Sequence, residues 1–202
     1  MTFIRTTPAP AAAGAVREMY QEVERRSGFL PNWAAAFSLR PDVWRGWDTL
    51  HAAIRSHLPV RTYELVTLAA ARALHSSYCS LAHGRVLAEN VLDAQTVAAI
   101  MRDPATAPLE PQERALVAFA EQVARHADRI GPADIQALRD AGYDDETIFD
   151  AAATAAARCF FSKLLDALGV QADARYRDLA PELRTALTVG RPIADPVPAV
   201  AP

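Results

Sequence analysis

Alanine supplies much of the apolar content of this 202-residue sequence, and that decides between helix and strand. Runs such as Ala69-Ala70-Ala71 and Ala151-Ala152-Ala153 favour helix, where alanine gives up no side-chain rotamers. Strands instead draw on β-branched and aromatic residues alternating at a period of two. Aromatic residues make up 7% of the chain and glycines number eight, which excludes a β-rich protein. The expected fold class is all-α.

The length suits one domain, or two intimately packed halves, with a substantial core and no need of disulfides. Residues 1–11 are Pro- and Ala-rich without periodicity and read as an N-terminal arm. A first helix is expected from Ala12 to Arg26, with Val16, Met19, Tyr20 and Val23 inward and Gly28 as its stop. Gly28-Phe29-Leu30-Pro31-Asn32 reads as a turn feeding a short helix through Phe37. Pro41 begins the next helix, which should carry Val43, Trp44, Trp47, Leu50 and Ile54 inward. Trp33, Trp44 and Trp47 read as core or subunit-interface anchors.

Pro59 opens a helix bearing Glu64, and a further helix from Ser76 or Ser77 runs to about Asn90. Asp93 caps a short helix through Met101, after which Asp103-Pro104-Ala105-Thr106-Ala107-Pro108 breaks the chain. The single domain, 12–187, thus divides into halves of about 12–102 and 109–187. Helices are expected near 111–127, 132–140, 144–168 and 172–187, the third ended by Gly169. Residues 188–202 read as a C-terminal arm, free or packed on a partner. The halves echo one another: Leu58, Leu65, Val66 and Ala69 lie 51 residues before Leu109, Leu116, Val117 and Ala120. Glu64 then matches Ala115, a small residue of the inward-facing kind, which favours a partly buried carboxylate in need of a partner.

The net charge is -3, and no cluster of Lys or Arg forms a stripe, so neither nucleic acid nor an anionic membrane is an expected partner. Small molecules or proteins are. No apolar run reaches the ~18–20 residues of a membrane span; the longest candidate, Ala151 to Ala157, is interrupted by Arg158. Cys79 and Cys159 lie 80 positions apart in apolar surroundings, and Met1-Thr2-Phe3-Ile4-Arg5 lacks the apolar core of a signal peptide. A reducing, cytoplasmic setting is the expectation.

The chemistry lies between Glu64 and Gly84. Cys79 and His83 are four residues apart, so on a helix they share a face with Cβ atoms roughly 5–6 Å apart, a reach suited to a thiol and its base. A helix capped by Ser76 or Ser77 places Cys79 in the first turn, where the positive end of the dipole favours its ionised, nucleophilic form. Glu64 on the preceding helix could orient the imidazole, completing a nucleophile, base and orienter. The competing reading of Cys79 is a small buried hydrophobe. His51 and His57, six apart, do not align on a helix face, and His75 and His126 lie near helix ends where a cation suits the dipole. Cys79, His83 and Glu64 number three possible metal ligands with no fourth clustered, so no metal or other cofactor is expected.

This pattern of Glu64, then eleven residues, Ser76, two residues, Cys79, three residues and His83 resembles the signature of the carboxymuconolactone decarboxylase superfamily, specifically its alkylhydroperoxidase D-like, peroxidase-related branch. Gly28-Phe29-Leu30-Pro31-Asn32 with Arg40-Pro41 upstream is similar to that branch's flanks. So are Ala141-Gly142-Tyr143-Asp144-Asp145-Glu146-Thr147-Ile148 and Leu165-Asp166-Ala167-Leu168-Gly169-Val170 downstream. The resemblance covers about residues 15–185.

It implies an alkylhydroperoxidase D-like helical fold of two packed halves, assembled as a dimer, trimer or hexamer. It also implies an antioxidant, peroxiredoxin-type oxidoreductase acting on a small-molecule hydroperoxide. By resemblance Cys79 is the peroxidatic cysteine, and His83 and Glu64 form a proton relay. Ser76 stands where the family has its resolving cysteine, and a hydroxyl cannot form that disulfide. An external thiol or dithiol would then reduce the sulfenic acid at Cys79. Cys159 is a candidate internal resolver or a structural core cysteine. Tyr78 and Ser76 are candidate site-lining residues, Tyr78 equally a packing residue. Two other functions fit the pattern: a redox-sensing or binding module without turnover, and lactone or decarboxylase chemistry using His83 and Glu64.

Overall fold

Proline and aspartate set the helix starts. The computed structural model of the chain describes residues 2–196 and forms ten α-helices. They are α1 (Gly14–Ser27), α2 (Asn32–Phe37), α3 (Pro41–Arg55), α4 (Val60–Ala73), α5 (Ser77–Asn90), α6 (Ala94–Arg102), α7 (Pro111–His126), α8 (Pro132–Asp140), α9 (Asp145–Ala167) and α10 (Pro181–Leu187). Among the described residues there is no strand. Pro41, Pro111, Pro132 and Pro181 each occupy a first helical position, where the missing N–H has no intrahelical partner to lose. Asp93 and Asp144 accept bonds from the Thr96 and Thr147 amides, 2.8 Å each, and so cap α6 and α9.

The core is organised around α4. Every residue from Tyr63 to Ala71 is buried, a helix apolar nearly all round, which requires neighbours on all sides. Those neighbours are α5 from the same half and α7 and α9 from the other, so the halves share one core. The 51-residue echo falls on this packing: Leu58, Leu65, Val66, Ala69, Leu109, Leu116, Val117 and Ala120 are all buried, and α4 lies against α7. Glu64 is 3% exposed and Ala115 is half-buried.

Four expectations need correction. Val43 and Leu50 face outward, because the inner face of α3 centres on Trp44, Trp47 and His51, roughly a quarter turn away. The stretch 172–187 is not one helix: a 3-10 segment, Ala174–Asp178, stops before Ala180, which precedes Pro181 and adopts an extended ψ of 136°. Ser76 stands at the N-cap of α5, yet its side chain makes no cap bond; the Ser77 hydroxyl instead accepts from the Gly190 amide at 2.7 Å. The C-terminal arm, as far as residue 196, packs on its own chain, with Ile193 and Ala194 buried and the Ala194 amide bonded to the Ala172 carbonyl at 2.9 Å. Its remainder, 197–202, lies outside the described residues, as does Met1. The N-terminal arm is docked as well, the Phe3 amide bonding to the Leu168 carbonyl at 2.8 Å.

Among the described residues no helix is long and apolar enough to cross a membrane.

The turn between α4 and α5 fixes how the two motif helices face each other. His75 takes a left-handed φ of 54°, which costs an L-residue roughly 1–2 kcal/mol. Gly190 is laid against this turn so closely that a Cβ there would come 2.1 Å from the His75 carbonyl oxygen. Gly190→Ala should therefore lower stability by about 1–3 kcal/mol, the usual cost of overpacking. A shift of the urea midpoint with unchanged slope measures it.

Candidate active site

The antiparallel arrangement of α4 and α5 brings Glu64 opposite His83. A Glu64 carboxylate oxygen lies 2.6 Å from His83 Nδ1. Burial raises the Glu64 carboxyl, but the imidazole, Arg55 and Arg158 outweigh it and hold the group below its ordinary range. Burial, with Arg158 and Arg55, lowers the His83 pKa below 6.5 against the opposing pull of Glu64. At neutral pH the pair is thus a carboxylate accepting from a neutral imidazole. Its proton sits on Nδ1, which leaves Nε2 as a free base.

Cys79 occupies the first turn of α5 and is 1% exposed. Its sulfur is met by two donors from α9: the Ser162 hydroxyl at 3.1 Å and Arg158 Nη1 at 3.7 Å. Ser162 follows Arg158 by four residues, so both project from one face of α9. Both bonds strengthen as the sulfur takes on negative charge. Arg158 Nη2 donates to the Tyr63 hydroxyl at 3.3 Å, and that hydroxyl lies 2.6 Å from His51 Nε2. Burial, followed by Arg158, lowers the His51 pKa to about 4, so a neutral His51 accepts the Tyr63 proton. A continuous polar chain therefore runs from Cys79 through Arg158 and Tyr63 to His51.

Cys79, His83, Glu64, Arg158 and His51, together with Tyr78, line a cavity of about 810 Å³, with Tyr63 and Ser162 behind its wall. Ser76 does not line it; the residue is buried at the helix start. The Tyr78 hydroxyl donates to Asp173 at 2.5 Å and accepts from the Trp33 amide at 3.3 Å, while Asp173 also accepts from the Asn32 amide at 2.7 Å. Burial and the adjacent Asp173 keep the phenol protonated far above its ordinary range. Tyr78 thus ties α5 to α2 and to the segment after α9, as well as facing the cavity. Cys159 is half-buried and points elsewhere, its thiol 4.0 Å from the Ala124 carbonyl on α7, and burial pushes that thiol up. Among the described residues no group of three His, Cys, Asp or Glu side chains could hold a metal ion.

The sequence reading brings Glu64, Cys79 and His83 to this cavity but misses Arg158, Ser162, Tyr63, His51 and Asp173. Arg158 carried a signal: an arginine closing an alanine run on a helix too apolar to be a surface element. His51 was obscured by its spacing from His57, since its alignment is with Trp44 and Trp47.

Residues 41–122 match the carboxymuconolactone decarboxylase family. The fold is similar to the alkylhydroperoxidase AhpD core of an uncharacterised peroxidase-related protein from Ralstonia eutropha JMP134, at 25% identity and a TM-score of 0.78 over 87% of this chain and 94% of that one. A peroxidase-related protein from Silicibacter sp. TM1040 is 20% identical, with a TM-score of 0.75 over 86% and 94% of the chains. The debrominase Bmp8, a cysteine-to-alanine variant in complex with 2,3,4-tribromopyrrole, is likewise 20% identical, with a TM-score of 0.75 over 91% and 100%. No curated protein matches the chain. The fold is that of the alkylhydroperoxidase D-like helical proteins, and the carboxymuconolactone decarboxylase match lies on the part of the chain that contributes Glu64, Cys79 and His83 to the cavity.

Arg158 separates stability from reactivity. A buried ion replaced by an apolar side chain of similar length is often neutral or stabilising. Arg158→Met should keep the urea midpoint at or above the parent's, while alkylation of Cys79 by iodoacetamide slows roughly tenfold from loss of a charged donor.

Proposed function

We propose that the chain is a thiol-dependent hydroperoxide reductase with Cys79 as its single peroxidatic cysteine. The observation that carries this reading is one cavity holding a sulfur between the Ser162 and Arg158 donors together with an imidazole anchored by a buried carboxylate. His83 Nε2 takes the Cys79 proton, and the thiolate attacks the terminal oxygen of the hydroperoxide, breaking the O–O bond. The proton returns from His83 to the departing alkoxide, giving an alcohol and a sulfenic acid at Cys79. Arg158 offsets the negative charge that passes from sulfur to the leaving oxygen.

Ser76 stands in the resolving position, so reduction comes from outside. One external thiol condenses with the sulfenic acid, releasing water and leaving a mixed disulfide. A second thiol displaces the first, so that hydroperoxide and two thiols give alcohol, disulfide and water. Cys159, directed at the Ala124 carbonyl, takes no part. A homo-oligomeric assembly is part of the proposal.

Thiol-dependent consumption of hydrogen peroxide should vanish in Cys79→Ser and fall roughly a hundredfold or more in His83→Ala. Turnover surviving in Cys79→Ser would overturn the reading. So would one oxidation of Cys79 per chain without cycling, the signature of a sensor. The pH profile gives a separate test. The base works deprotonated, and the His83 pKa lies below 6.5, so activity should persist as pH falls through 6.5 and fail only below it. An acid limb above 6.5 would remove His83 from this role.

A further inference from the structure

A peroxide group occupies little of an 810 Å³ cavity, given that a water molecule's share of liquid is ~30 Å³. Volumes of this order accommodate an organic body. The walls state which kind. Trp33 lies over Trp44 with ring centres 4.5 Å apart, Trp47 stacks on Phe161 at 5.1 Å, and Phe29 adds a further ring. Faces and edges of this sort suit a planar aromatic partner.

The charge lining the cavity is unbalanced. Its carboxylates are committed: Glu64 to His83, Asp173 to Tyr78 and Asn32, and Asp48 to Arg26. Two of its arginines have no carboxylate partner among the described residues. Arg158 is 4% exposed, and its Nε has no hydrogen-bond partner. Arg55, on the last turn of α3, is exposed and stands with its guanidinium carbon 5.5 Å from the centre of the Tyr63 ring. Arg158 is tied to the reacting sulfur. Arg55 stands over the Tyr63 ring and lines the cavity without an ion-pair partner among the described residues, so it is placed to take a charge carried by the substrate.

We infer that the substrate is an aromatic acid: an organic hydroperoxide whose ring rests on the Trp and Phe wall and whose carboxylate pairs with Arg55. This rests on the peroxidase reading for the reactive group, but not for the aromatic ring or the carboxylate. Two pairs of compounds test it. Cumene hydroperoxide and its para-carboxylate differ only in the anion; the acid should show a kcat/KM roughly three- to fivefold higher, carried in KM, as expected for a charge pair at an exposed arginine. Arg55→Met should collapse that ratio to about one, and Arg55→Lys should retain most of it. A ratio near one in the parent, or one unchanged in Arg55→Met, overturns the inference.

The second pair needs no turnover. By calorimetry 2-naphthoate should bind the full-length protein roughly three- to fivefold more tightly than 2-naphthylmethanol, with the same dependence on Arg55. Failure of the peroxidase reading shows as absent turnover of every hydroperoxide with the naphthoate preference intact. Failure of the ligand inference shows as equal binding of the two naphthalenes.

Discussion

A guanidinium buried in the centre of a helical domain, with no carboxylate paired to it among the described residues, dictates much of what surrounds it. Removing such a charge from water costs several kcal/mol unless its donors are met. Arg158 offsets part of that cost by distribution, its Nε alone lacking a partner among the described residues. One terminal nitrogen goes to the Cys79 sulfur and the other to the Tyr63 hydroxyl, while the planar group lies 5.9 Å from the centre of the Trp47 ring and 5.6 Å from that of Phe161. Burial works against its charge, but Cys79 and Tyr63 hold its pKa above the ordinary value. The same field reaches His51, His83 and Glu64, keeping both imidazoles neutral and the carboxylate ionised. Burial is the larger cause for both imidazoles and His83 the larger one holding Glu64 ionised, and the cation on α9 reinforces all three protonation states.

Small residues make that placement possible. The inner face of α9 carries Ala151, Thr154 and Ala155 before Arg158, and Ser162 after it. Short side chains let α9 lie close to α4, so the guanidinium reaches over α4 to the first turn of α5. Larger residues on this face would move Arg158 away from the sulfur without touching the site itself. The alanine content that excludes strands thus has a second role in setting the distance between the helices that share the site.

Local signals made much of this legible in the sequence. Proline at helix starts, Asp93 and Asp144 as caps and Gly28 as a stop are short-range chemistry, and their helices formed where that chemistry puts them. The spacing of Cys79 and His83 within one helix is local too, and the echo of Leu65 and Val66 in Leu116 and Val117 marked the helices that form the centre. What the sequence left hidden depends on tertiary approach. Nothing within a few residues of Arg158 says that its partners are Cys79 and Tyr63, 79 and 95 positions away. The outward turn of Val43 and Leu50 follows from two tryptophans claiming the inner face of α3, and of the two serines offered as caps of α5, Ser76 makes no cap bond and Ser77 is taken by the Gly190 amide, 113 residues away.

Cys159 points at the carbonyl of Ala124 and away from the cavity, so the sulfur between Ser162 and Arg158 has no second thiol of its own chain beside it. On the proposed cycle the oxidised sulfur is then a stored two-electron equivalent, kept in a nearly solvent-free niche with no internal route to discharge. Its lifetime belongs to the traffic through the cavity mouth. The alcohol must leave the cavity before the reducing thiol can reach the sulfur, so peroxide and thiol take turns rather than meet. A protein built in this way keeps a brief record of its last encounter, erased only by a thiol that enters the cavity and reaches the buried sulfur.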